Sequence, residues 1–212
     1  MRSLIFAASV LLFSVTSAQA GSLPVVKDPV AKTECSDCHM AYPPILLPQA
    51  SWEKIMGNLS DHFGDDASLD DATVKVLTEY FVKNSNDVVL AKNEKIFAEM
   101  KAQKLKEGKR VKYLRPPGIL RTAKKWSSKF KPERIQDLPR FKSKHSFSQR
   151  CVPVIESVMK RAKIQTMAMC SDCHGLMPTT GASAVVFPYV EALPVAERQA
   201  FFSAEELKCL DE

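Results

Sequence analysis

One pentapeptide, Cys-Ser-Asp-Cys-His, occurs twice in this chain, at residues 35–39 and, letter for letter, at residues 170–174. These copies, the first and second motif, use four of the six cysteines and two of the four histidines. Positions i, i+3 and i+4 share one face of a helical turn, so each motif can bond a flat macrocycle at two edges and ligate its central metal. Cys-x-x-Cys-His is the attachment signature of c-type haem. The chain must therefore fold around two large cofactors.

Because the motif occurs twice, it is a specific indication of haem attachment. The cysteines would form thioethers to the haem, and each motif histidine would be the proximal iron ligand. Paired zinc knuckles are one alternative, but structural zinc prefers a closed site of four ligands. A thioredoxin-like dithiol is another, but it needs a single Cys-x-x-Cys in a βαβ setting. We predict two covalently attached c haems with iron, bound through Cys35, Cys38, Cys170 and Cys173 and ligated by His39 and His174.

The N-terminus predicts export. Arg2 precedes an apolar run and the small-residue triplet Ala18-Gln19-Ala20, which is the pattern of a signal peptide cleaved after Ala20. An uncleaved membrane anchor is the weaker alternative, because the apolar run is short for a membrane span. Since c-type haem is attached outside the cytoplasm, we expect the mature chain in the periplasm.

The remaining chain predicts a mostly α-helical fold, since strand-like alternation is scarce. Apolar residues spaced by three and four predict helices at residues 52–63, 91–106 and 152–165. A Ser68–Asp71 capping box predicts a further helix that ends near residues 84–86, and a short helix is expected at residues 204–210.

The chain divides in its basic middle. Residues 108–139 are broken by prolines, so we expect a loop-rich connection with short helices at most. We predict a signal peptide at residues 1–20, an N-terminal haem domain at residues 21–110, and a C-terminal haem domain with the basic connecting segment at residues 111–212.

Each haem iron needs a sixth ligand unless its site stays open, and two further histidines can supply it. His62 lies in the first half and His145 in the second. A lone histidine is more often an ordinary core residue, but a haem buried against the same face changes that expectation. We predict that His62 pairs with His39 and that His145 pairs with His174. The rival distal ligand is methionine, with candidates in both halves (Met56, Met100, Met159, Met167 and Met169). Met40 and Met177 follow their motif histidines too closely to reach round the macrocycle.

A proline follows each motif histidine by four residues, as Pro43 and as Pro178. A ligating imidazole usually donates its other ring N–H to an outer group, which fixes the tautomer. We expect a backbone carbonyl near each proline to be that acceptor.

One long stretch resembles the bacterial dihaem cytochrome c family. The stretch, SWEKIMGNLSDHFGDDASLDDATVKVLTEYFVKNSND at residues 51–87, matches the family's Trp-x-x-Ile-Met…His-Phe-Gly…Ala-x-Leu-Asp pattern. His145 also lies upstream of its Cys-x-x-Cys-His, as in that family. The resemblance implies bis-histidine haems, an N-terminal domain like a class I cytochrome c, and a less regular second domain. Some members donate electrons to a small oxygen-binding monohaem cytochrome. The lysine-rich insert around residues 101–134 and the pair Cys151 and Cys209 depart from the pattern.

Two six-coordinate haems predict an outer-sphere electron carrier and no catalytic residue. Axial ligation, burial and neighbouring charge would set the potentials. The alternative is a dihaem enzyme, peroxidase-like or thiosulfate-oxidising, with one open or switchable haem. A further alternative is a haem-bearing subunit of a larger complex.

Charge is distributed unevenly along the chain. Residues 31–90 carry ten acidic and four basic side chains, whereas residues 92–134 carry fifteen basic and four acidic ones. We expect the basic segment at residues 101–134 to dock on an acidic redox partner, of which a small monohaem cytochrome is one example, because opposite charge raises encounter rates. A solvated loop and contact with an anionic membrane surface are the alternatives. Nucleic acid is not an expected partner of an exported haem protein.

Cys151 and Cys209 are the two cysteines that no haem needs. In an oxidising compartment a leftover pair is more often bonded than free. We predict a Cys151–Cys209 disulfide that closes a loop around the second motif.

Overall fold

The computed structural model describes residues 23–211 except residues 113, 168 and 183, so the predicted signal peptide lies outside the described residues. Twelve α-helices and no β-strand are found in that part, which confirms the mostly α-helical fold. The helices are α1 (Pro29–Cys35), α2 (Gln49–Met56), α3 (Asp71–Lys83), α4 (Asn86–Lys106), α5 (Gly118–Trp126), α6 (Pro139–Lys144), α7 (Val152–Arg161), α8 (Cys170–Cys173), α9 (Met177–Thr180), α10 (Pro188–Glu191), α11 (Val195–Ala200) and α12 (Ala204–Leu210). None of these helices has the length and apolar character that crossing a membrane requires.

The helix predicted across residues 52–63 is shorter than expected. α2 ends at Met56, and Gly57 caps it. The next side chains then bond local backbone instead of continuing the helix: Asn58 Nδ2 donates to the Asp61 carbonyl, and the Gly64 N–H donates to Asp61 Oδ1. Such local bonds compete with helical ones. His62 therefore lies in a turn and not on the predicted helix face.

The helix predicted after residue 68 begins at Asp71, and its cap differs from the expected one. Asp70, and not Ser68, is the N-cap, and its carboxylate accepts the Thr73 N–H at 3.0 Å. The end of α3 at Lys83 agrees with the prediction.

The largest hydrophobic core lies in the first half but draws on the basic segment as well. Its centre is Trp52 of α2 stacked on Phe81 of α3, with ring centres 4.3 Å apart. Ala123 of α5 and Phe141 of α6 belong to the same buried cluster. The basic stretch predicted to be loop-rich thus supplies α5, a helix of nine residues, to this core.

Asn86 is the polar residue that joins α4 and α5 to this core. Its buried side-chain amide donates to the carbonyls of Ile45 at 3.0 Å and of Ala123 at 2.9 Å. Its backbone N–H donates to the Leu47 carbonyl. These three bonds connect segments that are distant in sequence.

The second half has two smaller cores. One is centred on Val158 and Phe187, and the other contains Ile155 with Cys151 and Cys209. The two cysteines form a disulfide with Cα atoms 5.4 Å apart, which confirms the predicted pairing and lies in the ordinary range of disulfide geometry. This bond ties α7 to α12.

An N-terminal segment connects the two halves. The Leu23 N–H donates to the Gly181 carbonyl at 2.8 Å, and Leu23 and Val26 are buried in the first core. Gly181 has a φ of +72°, and a Cβ there would lie 1.9 Å from the Leu23 carbonyl oxygen. Only glycine permits this approach. The boundary between residues 110 and 111 stays a prediction, although α5 and α6 pack with the first core.

Candidate haem sites

The first site is built from a helix end and two turns. Cys35 is the last residue of α1, whose N-cap Asp28 accepts the Ala31 N–H. A turn then carries Cys38 and His39. The ring of His39 faces that of His62, with centres 6.2 Å apart and planes 28° apart. The structure thus brings together all four residues that the sequence predicts for this site in one half of the chain, with the two imidazoles facing each other.

The second site places its motif on a short helix. α8 runs from Cys170 to Cys173, and His174 caps it. The rings of His174 and His145 have centres 6.1 Å apart, and their planes are almost perpendicular at 89°. The predicted pairing of a distant upstream histidine with the motif histidine is therefore also present here.

Three of the four imidazoles are oriented by backbone carbonyls. Nδ1 of His39 lies 2.8 Å from the Met40 carbonyl, that of His145 lies 2.9 Å from the Phe141 carbonyl, and that of His174 lies 3.2 Å from the Ala184 carbonyl. An Nδ1–H bonded in this way leaves Nε2 free for a metal.

The prediction that the acceptor carbonyls lie near the two prolines is wrong. The acceptors for the proximal imidazoles, Met40 and Ala184, lie three residues before Pro43 and six residues after Pro178. Ala184 reaches His174 because the following segment pairs with the motif, through a bridge between His174 and Val186. Gly175 permits this approach, since a Cβ there would lie 2.7 Å from the Pro188 side chain.

The geometry of both pairs fits a bis-histidine haem. An imidazole nitrogen lies about 2 Å from a metal that it ligates, and the ring centre lies about 1 Å farther. Two imidazoles on opposite sides of one iron therefore have centres about 6 Å apart. The observed separations, 6.2 and 6.1 Å, agree with this arrangement.

An apolar cleft adjoins the second pair, as a haem face requires. Its wall includes both motif cysteines, and α7 and α12 contribute to it. The side chains that line the cleft are Lys144, His145, Phe147, Ile155, Val158, Met159, Met167, Met169, Cys170, Cys173, His174, Val185, Phe187 and Leu210. Met159, Met167 and Met169, the rival distal ligands, line the same cleft as His145, whose ring centre lies 6.1 Å from that of His174.

The motif cysteines lie in a buried environment that disfavours the thiolate. Burial, and then Glu34, raises the pKa of Cys35 to about 11, and burial, and then Asp172, raises the pKa of Cys173 to about 11. No group of three or more histidine, cysteine or acidic side chains among the described residues could hold a metal ion.

The turn that carries His62 is braced by the basic segment. The Arg134 guanidinium lies over the Phe63 ring, 4.6 Å from its centre, and Lys54 pairs with Glu133 at 2.5 Å. Burial, and then the charge of His39, lowers the pKa of His62. A neutral imidazole is the form that ligates iron. Sequence reasoning did not predict the role of Arg134, because it lies 71 residues from Phe63 in a segment treated as a connection.

Tyr42 is the other residue that the sequence did not single out. Its ring packs on His39, and its hydroxyl lies 3.8 Å from Cys170 Sγ. Burial, and then the neighbouring Cys170, raises the pKa of Tyr42. The sequence feature that could have identified Tyr42 is its position three residues after the first motif.

Known proteins resemble the chain across both sites. The family model for dihaem cytochrome c matches residues 31–180, a range that includes both motifs, His62 and His145. The chain is 33% identical to a diheme cytochrome c from Rhodobacter sphaeroides, over 73% of this chain and 95% of that one, with a TM-score of 0.47. It is 26% identical to a diheme cytochrome from Shewanella baltica OS155, over 73% and 85% of the two chains, with a TM-score of 0.43. No curated protein shows a significant match.

Proposed function

Because the chain belongs to the dihaem cytochrome c family and so carries two covalently attached c haems, we propose that it is an outer-sphere electron carrier of the periplasm. Each haem supplies an iron that gains or loses one electron. Cys35 and Cys38 would hold the first haem, and Cys170 and Cys173 would hold the second. The paired imidazoles would ligate the two irons, His39 with His62 and His145 with His174.

The facing histidine pairs carry this proposal. When protein imidazoles occupy both axial positions, no coordination position remains for a substrate, and electrons are exchanged through the haem edge. The backbone bonds of His39, His145 and His174 support the same conclusion, because they hold each ring in one orientation and limit the rearrangement that accompanies a change of iron charge.

Spin state tests the carrier against the enzyme. The resting ferric protein should be wholly low-spin and should not bind added cyanide rapidly, and the reduced protein should not bind added carbon monoxide rapidly. His62→Ala and His145→Ala should each convert one haem to a high-spin form that binds such ligands. A high-spin haem in the wild-type protein would support the dihaem enzyme instead, and an unchanged low-spin spectrum in either variant would reassign that ligand to another residue.

Export is the part of the proposal that rests on the N-terminal sequence. A signal peptide at residues 1–20, cleaved after Ala20, would deliver the chain to the compartment where c haem is attached. The oxidised Cys151–Cys209 pair supports the same location, since such bonds persist in oxidising compartments. The intact mass of the purified protein should equal that of the chain from Gly21 plus two haems. A mass that includes residues 1–20 would contradict cleavage.

The partner is an acidic redox protein, for which the basic segment at residues 101–134 is the docking surface. The second half of α4 is exposed over residues 98–103, and apolar Met100 and Leu105 are 40% and 59% exposed beside its lysines. α5 adds a cationic face, because its Leu120 and Ala123 are buried while Arg121 and Lys124 are exposed. Apolar contacts within a cationic rim suit transient docking, in which charge speeds the encounter.

Charge reversal tests this surface. Lys101→Glu with Lys106→Glu should slow electron transfer to a small acidic monohaem cytochrome and flatten its dependence on salt. The matched control, Lys160→Glu with Lys208→Glu, makes the same charge change on exposed positions of α7 and α12. Equal effects of the two pairs would refute a local docking surface. Binding to anionic vesicles that only the first pair abolishes would assign the surface to the membrane.

A further inference from the structure

Tyr42 touches both candidate haem sites. Its ring centre lies 4.8 Å from that of His39, with planes 30° apart. Its hydroxyl oxygen lies 3.8 Å from Sγ of Cys170, a residue 128 positions away in the sequence. One side chain thus joins an axial ligand of the first haem to an attachment atom of the second.

The surrounding structure holds this contact in place. Tyr42 is partly buried and packs against the first core, as does Met177, which follows the second motif by three residues. Met177 begins α9, and the Leu23 N–H bonds the carbonyl of Gly181, which caps that helix. Tyr42 and the helix that follows the second motif therefore pack against the same core.

We infer that Tyr42 is the positioning residue that couples the two haems, through its ring on His39 and its hydroxyl on Cys170 Sγ. This inference rests on the proposed function. In the free chain the Cys170 thiol donates to the Tyr42 hydroxyl. Haem attachment removes the thiol proton, and the thioether sulfur, a weak acceptor, would then take a hydrogen bond from that hydroxyl. Electrons tunnel more readily through packed atoms than across a gap. In each transfer one iron loses an electron and the other gains it, while Tyr42 is neither oxidised nor deprotonated.

Tyr42→Phe tests the coupling, because it removes only the hydroxyl and keeps the ring in the core. The matched control is Tyr189→Phe, which makes the same change at a partly buried tyrosine that contacts Phe201. Rapid one-electron reduction of the fully matured, oxidised protein, followed by freeze-quench electron paramagnetic resonance, would measure how fast the electron redistributes between the haems. Tyr42→Phe should slow redistribution severalfold at unchanged thermal stability, and Tyr189→Phe should not change it.

The outcomes separate this inference from the carrier function. A redistribution rate in Tyr42→Phe equal to that of the wild type would overturn the inference and leave the carrier function standing. A Tyr42→Phe protein that lacks one haem would also overturn it, because the residue would then act in maturation. A high-spin haem in the wild-type protein would instead overturn the carrier function, whatever the effect of Tyr42.

Discussion

The two haem regions hold nearly identical histidine pairs in different ways. The separations agree within 0.1 Å, yet the imidazole planes are 28° apart in the first pair and 89° apart in the second. In the described part of the chain, the first region belongs to a buried cluster of fourteen residues, whereas the second relies on clusters of five and three and on a disulfide. Similarly spaced histidine pairs thus do not require similar packing.

The second region also depends on the first. His145 stacks on Phe141, with ring centres 3.9 Å apart, and its Nδ1 bonds the Phe141 carbonyl. Phe141 is part of the first core. The predicted distal ligand of the second haem, His145, is therefore positioned by the core of the first region, while His174, the predicted proximal ligand, is oriented by the Ala184 carbonyl.

The largest expected effect comes from removing one attachment site at a time. Cys170→Ala with Cys173→Ala should leave one haem and cause a large loss of helical circular dichroism, since little apolar burial supports α7 to α12 without the cofactor. Cys35→Ala with Cys38→Ala should leave one haem and most of the helicity, because the first core remains. Intact mass verifies each haem count. A greater loss of helicity in Cys35→Ala with Cys38→Ala than in Cys170→Ala with Cys173→Ala would contradict the comparison.

Removing the disulfide should have the second-largest effect. The bond closes a loop of 58 residues, for which chain entropy gives a stabilisation of about 4 kcal/mol. Cys151→Ala with Cys209→Ala should therefore lower the denaturant midpoint of the second haem's spectrum far more than that of the first. If both midpoints fell equally, the two regions would unfold as one unit and the comparison would fail.

A smaller effect is expected from Asn86→Ala. The change removes two buried hydrogen bonds and leaves two carbonyls without their partner, which costs about 2–4 kcal/mol. Because α5 leads to the segment that carries Phe141, both haem signals should shift in denaturant titrations. Asn93→Ala is the matched control, since its amide bonds only the Val89 carbonyl of the same helix. Its cost should stay near 1 kcal/mol.

The angles between the imidazole planes predict a spectroscopic difference between the two haems. This difference involves no change in the stability of the protein. Nearly parallel imidazoles act on the same iron d orbital and split the d levels, whereas perpendicular ones leave those levels close in energy. The ferric second haem should therefore show the more anisotropic electron paramagnetic resonance signal. His145→Ala should abolish that signal, and His62→Ala should abolish the less anisotropic one. Two signals of the same shape would contradict the observed angles.

The residues that carry the chemistry of this protein could be predicted from its sequence because their pattern is local. The spacing within residues 35–39 and 170–174 predicts haem attachment by itself. Local sequence signals predict α3 and α12 closely, and they predict the end of α4 but place its start five residues late. The disulfide followed from counting cysteines. These signals depend on neighbours within a few residues or on scarce residue types, so no tertiary information was needed.

The tertiary structure decided what depends on distant residues. The carbonyl that orients His174 came from Ala184, in a segment that folds back on the motif. Arg134 on Phe63 and Tyr42 on Cys170 join positions 71 and 128 residues apart. The sequence alone predicts which residues bind the two haems; the angle of each histidine pair, and the contact between the two sites, arise from packing between distant segments that no local pattern encodes.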